Sequence, residues 1–136
     1  MNALAALWSA IRVPLLSVGA IVSAFVVMVL LNSLGAWLVS RLGIAGSGQA
    51  RLGWDLAWTV LGGLAAIVFA SRYAPLWPRV HGAVVWAVIA AASLYAAWDM
   101  GRDYPYWFVV LLLAALPLQA AGIWLGTRWR PAAPPR

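Results

Sequence analysis

The residues able to do acid–base or ionic chemistry are few and sit near one another in pattern. Three carboxylates occur, Asp55, Asp99 and Asp103, and each adjoins an aromatic residue at the edge of an apolar run. Arg102 stands between Asp99 and Asp103, and Arg41 and Arg51 lie in the segment before Asp55. Two carboxylates can share acid and base roles when their environments split their pKa values. At a wet rim beside arginines, charge balance and turn formation are the expected roles instead, with a ligand or partner site as the sharper reading. The candidate outer-rim cluster is therefore Asp55, Asp99, Arg102 and Asp103.

Other chemistry is thinly supported. His81 is the single histidine and cysteine is absent, so thiolate catalysis, disulfides and a multi-residue metal centre find no ligands. His81 lies two residues beyond Arg79 and is expected at an interface rather than in a proton relay. Gly46 and Gly48 resemble a phosphate loop only in composition, because no strand precedes them and no lysine follows. No cofactor, metal or nucleic-acid partner is expected. The net charge of +6 is dispersed as single arginines between apolar runs, which forms no nucleic-acid patch. Anionic lipid headgroups are the natural partners of such cations.

The elements that position these groups are apolar spans. The chain is 65% hydrophobic and 9% charged, against about 25% charged in soluble domains. A small soluble globule has too much outside to bury that much apolar surface. Four runs lack Asp, Glu, Lys and Arg: Val13–Ser40, Leu56–Ser71, Val80–Trp98 and Tyr104–Thr127. A helix of about 20 residues crosses the hydrocarbon core. The second run reaches that length as Trp54–Arg72 if its flanking charges lie at the headgroups. The first run is too long for the apolar part of a signal peptide, about 7–15 residues, so an uncleaved first helix is expected.

The expected fold is all-α: an integral membrane four-helix bundle, up-down-up-down, with helices near 13–40, 54–72, 79–98 and 104–127. Residues 1–11 are expected as a short interfacial segment ending at Arg12 and Pro14. Residues 12–130 form the single four-helix domain, and 131–136 a disordered tail. Arg12, Arg72, Arg79, Arg128, Arg130 and Arg136 fall on one side of the spans. Arg41, Arg51 and Arg102 fall on the other, together with all three aspartates. The positive-inside bias then places both termini in the cytoplasm. The alanine-rich composition, with arginine and no lysine, fits a high-GC bacterial genome, and the spans are then expected in a bacterial inner membrane. Trp37, Trp54, Trp58, Trp98, Tyr104, Tyr106 and Trp107 mark the outer boundary, and Trp8, Tyr73, Trp77, Trp124 and Trp129 the inner one.

Within the spans the polar residues are uncharged. Counting from the midpoint of each run, Asn32, Thr59 and Ser93 share one depth toward the outside. Ser23, Trp86 and Gln119 share another toward the inside. Each set is expected as a hydrogen-bonded layer between helices, with a polar groove for a small solute as the functional alternative. Small residues four apart permit close helix approach. Gly62, Ala66 and Ala70, then Ala83, Ala87 and Ala91, then Gly122 and Gly126 have that spacing. Pro117 frees a carbonyl one turn earlier and is a candidate kink beside Gln119. Arg-Val and Trp-Asp pairs recur at 12–13 and 79–80, and at 54–55 and 98–99, a faint echo of two related hairpins.

Over residues 54–130 the residues Gly62, Gly63, Pro105, Trp107, Phe108, Pro117, Gly122 and Gly126 carry a resemblance. The chain resembles a group of small four-helix bacterial inner-membrane proteins of unknown function. It departs from that group at Tyr104, where a histidine often precedes the proline. The resemblance implies the fold and no activity. The expected function is that of a non-enzymatic small membrane protein, an accessory or structural subunit with a membrane-protein partner or a second copy. The alternative is a small transporter or channel acting as a homodimer, with Asn32 and Gln119 lining a polar path. A membrane enzyme, with Asp99 or Asp103 as acid or base, is the third reading.

Overall fold

The structure is a computed structural model, and it describes residues 3–43, 48–99 and 101–130. The described residues are all-helical apart from short turns. Four helices follow in order: α1 Ala3–Leu42, α2 Gly48–Tyr73, α3 Pro78–Asp99 and α4 Tyr106–Arg128. All four are long and apolar enough to cross a membrane.

Two boundaries differ from the sequence expectation. Helix α1 does not start near residue 13 but at Ala3, and runs through Pro14 for 40 residues, about 60 Å at 1.5 Å per residue. Proline at 14 removes one amide donor, and the alanines and leucines around it favour helix strongly enough to continue. The separate segment expected at 1–11 is thus helical and continuous with α1 from Ala3 onward. Helix α2 begins at Gly48 rather than near Trp54, so most of the glycine-bearing link is helix. Arg51 and Asp55, one turn apart and 2.9 Å from each other, support that extra turn. Gly43, with φ +67°, ends α1 in the left-handed conformation that glycine adopts without a Cβ clash. Gly46 and the tail 131–136 lie outside the described residues.

The α2–α3 turn is tight. Ala74 N–H donates to Ala70 O at 3.1 Å, and Trp77 O then accepts from Val80 N–H at 2.9 Å as α3 opens on Pro78. Proline suits the first helical position because its missing N–H would have no intrahelical partner there. Trp77 has φ +45°, an arrangement that costs a bulky residue on the order of 1–3 kcal/mol. At the other end of the molecule, Pro105 precedes α4, which continues through Pro117 to Arg128.

Packing centres on α2. It touches each of the other helices, while α3 and α4 also touch each other. Helix α1 packs along α2, meets α3 only slightly, and makes no close backbone approach to α4 among the described residues. The core cluster is small in side-chain volume: Ala24, Ala66, Ile67, Ala70, Val85 and Ile89. Many large apolar residues point outward, Val18, Leu30, Leu118 and Trp124 among them. A monomer in water rarely shows an extended apolar surface of this kind, whereas lipid accepts it directly.

Candidate functional site

Adjacent glycines on α2 point to different neighbours. Successive helical residues are rotated by about 100°. A Cβ on Gly62 would lie 3.3 Å from Asn32 Nδ2 and from Met28 O of α1. A Cβ on Gly63 would instead collide with the Gln119 amide of α4. Gln119 is 3% exposed, and its Nε2 donates to Val60 O on α2 at 3.2 Å. On the neighbouring helix, Trp86 Nε1 donates to Leu116 O of α4 at 2.9 Å. Trp86 and Gln119 therefore join α3 to α4 and α4 to α2, each bond worth about 0.6 kcal/mol in a membrane setting. Ser23, placed at the same depth by sequence, lies exposed on α1 and meets neither.

The α2–α4 contact continues past this point. A Cβ on Gly122 would lie 3.0 Å from Leu64 Cδ1 and 3.2 Å from Ile67 Cγ2, and one on Gly126 2.6 Å from Ser71 Cβ. Ala66 and Ala70 are fully buried on α2. The alanine ridge expected on α3, Ala83, Ala87 and Ala91, instead faces outward. The buried face of α3 is His81, Gly82, Val85, Ile89 and Ala90. Alanine-rich helices offer several small ridges, and Gly82 allows a closer approach than any alanine does. Ser71 is pressed against Gly82, and its hydroxyl is buried with no hydrogen-bond partner. The meeting of Ser71, Gly82 and Gly126 was not read from sequence. Its only advance signal was Gly82 standing four residues before Trp86.

Helix α1 is held on α2 at a second place. Gly35 O accepts from Trp54 Nε1 at 2.8 Å, and the Trp58 side chain sits where a Cβ on Gly35 would be. Trp54 and Trp58 are 6.0 Å apart, ring centre to ring centre. These tryptophans, expected as interfacial anchors, also make the α1–α2 contact.

The three residues of the outer layer do not bond to one another. Thr59 donates its hydroxyl to Asp55 O one turn back at 2.8 Å, Asn32 lies against Gly62, and Ser93 is half-buried on α3. Thr59 and Ser93 do line one groove of about 330 Å³. Phe25 and Met28 of α1 form one wall, and Val88, Ile89, Phe108 and Leu112 of α3 and α4 the other. Asn32 and Gln119 dock on different faces of α2, so the two amides share no space within one chain.

The rim cluster separates into two parts. Asp55 is held by Arg51, whose Nε lies 2.9 Å from Oδ2, and both side chains are partly exposed. Asp99 and Arg102 line an open pocket of about 570 Å³ with Trp98, Tyr104 and Tyr106. Asp103 is exposed and outside that lining. Among the described residues, Arg51–Asp55 is the one ion pair, and no three potential metal ligands come together. At the opposite end Arg130 donates to Ala74 O at 2.6 Å and Pro75 O at 3.3 Å, tying the end of α4 to the α2–α3 turn. His81 is buried there, its Nδ1 3.2 Å from Trp77 O. That carbonyl can only accept, which puts the ring proton on Nδ1.

Four apolar helices with small residues inside and large ones outside define the class, a multi-pass membrane protein. No family model, curated protein or solved structure matches the chain.

Proposed function

We propose that this chain is a non-enzymatic accessory or structural subunit of a bacterial inner-membrane complex. The observation that carries the reading is how its polar side chains are used. Trp54, Trp86 and Gln119 each donate a hydrogen bond to a neighbouring helix's backbone. Asp55 is paired on its own helix. Side chains committed to helix packing are not free to bind a solute or move a proton.

Both termini are cytoplasmic in this reading, and the helices pass up-down-up-down. The contact register supports alternation. Contacts run in opposite order on α1 and α2, from Gly35 with Trp54 to Asn32 with Gly62. They run in the same order on α2 and α4, from Val60 with Gln119 to Ser71 with Gly126. The arginine bias supports the inside assignment. The resemblance to small four-helix inner-membrane proteins agrees with it and adds no activity. The homodimeric transporter draws no support from Asn32 and Gln119, which dock on separate faces.

Purification in mild detergent after crosslinking in intact cells is the test. The expected result is a stoichiometric membrane-protein neighbour or a defined homo-oligomer. A strictly monomeric protein with no crosslinked neighbour contradicts the proposal.

A further inference from the structure

We propose that the groove between α1 and the α3–α4 hairpin holds one acyl chain of a zwitterionic phospholipid, with its headgroup at the Asp99–Arg102 rim. The groove walls are apolar, with Phe25 and Met28 facing Phe108 and Leu112. Of its hydroxyls, that of Thr59 is already donated to Asp55 O. Nothing in that part of the groove asks for a polar ligand.

Size selects a chain over a helix. The groove holds about 330 Å³. An engineered apolar cavity of about 150 Å³ accepts benzene, so this one takes roughly a dozen carbons. A helix about 10–12 Å across does not fit. At hydrocarbon depth an unfilled apolar groove forfeits dispersion contacts along both walls, and the surrounding lipid supplies the filler.

The mouth selects the headgroup. Tyr104 lines both the groove and the rim pocket that contains Asp99 and Arg102. Asp99 and Arg102 are exposed and are not ion-paired with each other. A carboxylate and a guanidinium with no ion-pair partner among the described residues complement a phosphate carrying an ammonium group. Arg102 takes the phosphate, and Asp99 takes the amine. A lipid with a phosphate but no amine leaves Asp99 facing negative charge.

The test uses the full chain in vesicles of phosphatidylethanolamine and phosphatidylglycerol, doped with either lipid carrying a mid-chain photoreactive diazirine. Crosslinked positions are mapped by mass spectrometry. With the ethanolamine probe, labelling of 88–96 and 108–112 should exceed that of the outward α1 residues Val18, Val22, Val26 and Val29 by about tenfold. It should saturate as probe fraction rises, while α1 labelling stays linear. Ser93→Trp, which fills the groove, should bring groove labelling down to the α1 level with unchanged helicity. Arg102→Gln should lower it for the ethanolamine probe. Should Ser93→Trp fail to fold, saturation in the wild-type chain decides. Uniform, non-saturating labelling overturns the site, and equal labelling by the glycerol probe overturns the headgroup assignment.

Discussion

The two sides of α2 are built differently. Toward α4, glycine follows glycine: Gly63, Gly122 and Gly126 bring the backbones together over several turns, and Gln119 adds a bond across the interface. Toward α1 the glycine contacts are Gly62 with Asn32 and Met28, and Gly35 with Trp54 and Trp58, and Ala24 of α1 joins Ala66 and Ala70 in the core cluster. Beyond them the α1 side opens into the groove. Lipid competes for apolar partners, so a membrane helix pair is held by close backbone approach and a few polar contacts. Both sides of α2 have them, but α4 is held by α3 as well, whereas α1 rests on α2 and meets α3 only slightly. Helix α1 is accordingly the one expected to separate first.

Substitutions can break this contrast. The largest effect is expected for Gly126→Val, which drives a branched side chain into Val68 and Ser71. Overpacking of this kind costs about 1–3 kcal/mol, and unfolding in mixed detergent–dodecyl sulfate micelles should register a loss near the top of that range. Gly19→Val, where nothing lies within 4 Å, should leave the same curve unmoved.

A smaller and more discriminating effect comes from the neighbouring glycines. Gly63→Ala places a methyl group against the Gln119 amide and should cost about 1–2 kcal/mol. Gly62→Ala meets its neighbours at 3.3 Å and should cost less than half of that. Equal losses in the same unfolding assay would erase the distinction between the two faces.

The polar clamps come next. Gln119→Leu and Trp54→Phe should each lower stability by about 0.6 kcal/mol, the usual worth of an interhelical bond in a membrane. The first should raise proteolysis of the α3–α4 hairpin, and the second that of α1. The smallest effect is expected at the rim. Asp55→Asn weakens a partly exposed pair and should change stability by about 0.3–0.5 kcal/mol, less still at high salt.

The spans could be read from sequence because charge is confined to their ends, and that pattern needs no tertiary information. Gly62, Ala66, Ala70, Gly122 and Gly126 could be picked out as small residues four apart, and all five are buried. The same rule misassigned Ala83, Ala87 and Ala91, because small-residue spacing does not say which ridge of an alanine-rich helix faces inward. Depth counting grouped Trp86 with Gln119 but also with Ser23, since depth carries no information about azimuth. The Gly35 contact depends on two helices and the Ser71–Gly82–Gly126 meeting on three, so no single helix pattern reveals them. The continuation of α1 through Pro14 was hidden because proline weighs on local propensity, while the length of the flanking helix decides the outcome.

Helix α2 closes against α4, and a groove is left between α1 and the α3–α4 hairpin. The absence of cysteine permits paired substitutions without background. Ile67→Cys with Gly122→Cys joins the closed side, the smaller residue at 67 making room for the new side chain at 122. Phe25→Cys with Leu112→Cys faces across the groove. A disulfide needs Cα atoms about 4.4–6.8 Å apart. Oxidation in membranes, followed by reducing and non-reducing electrophoresis, should give a fast intramolecular disulfide for the first pair and little for the second. Fast crosslinking of 25 to 112 with none between 67 and 122 would contradict the account.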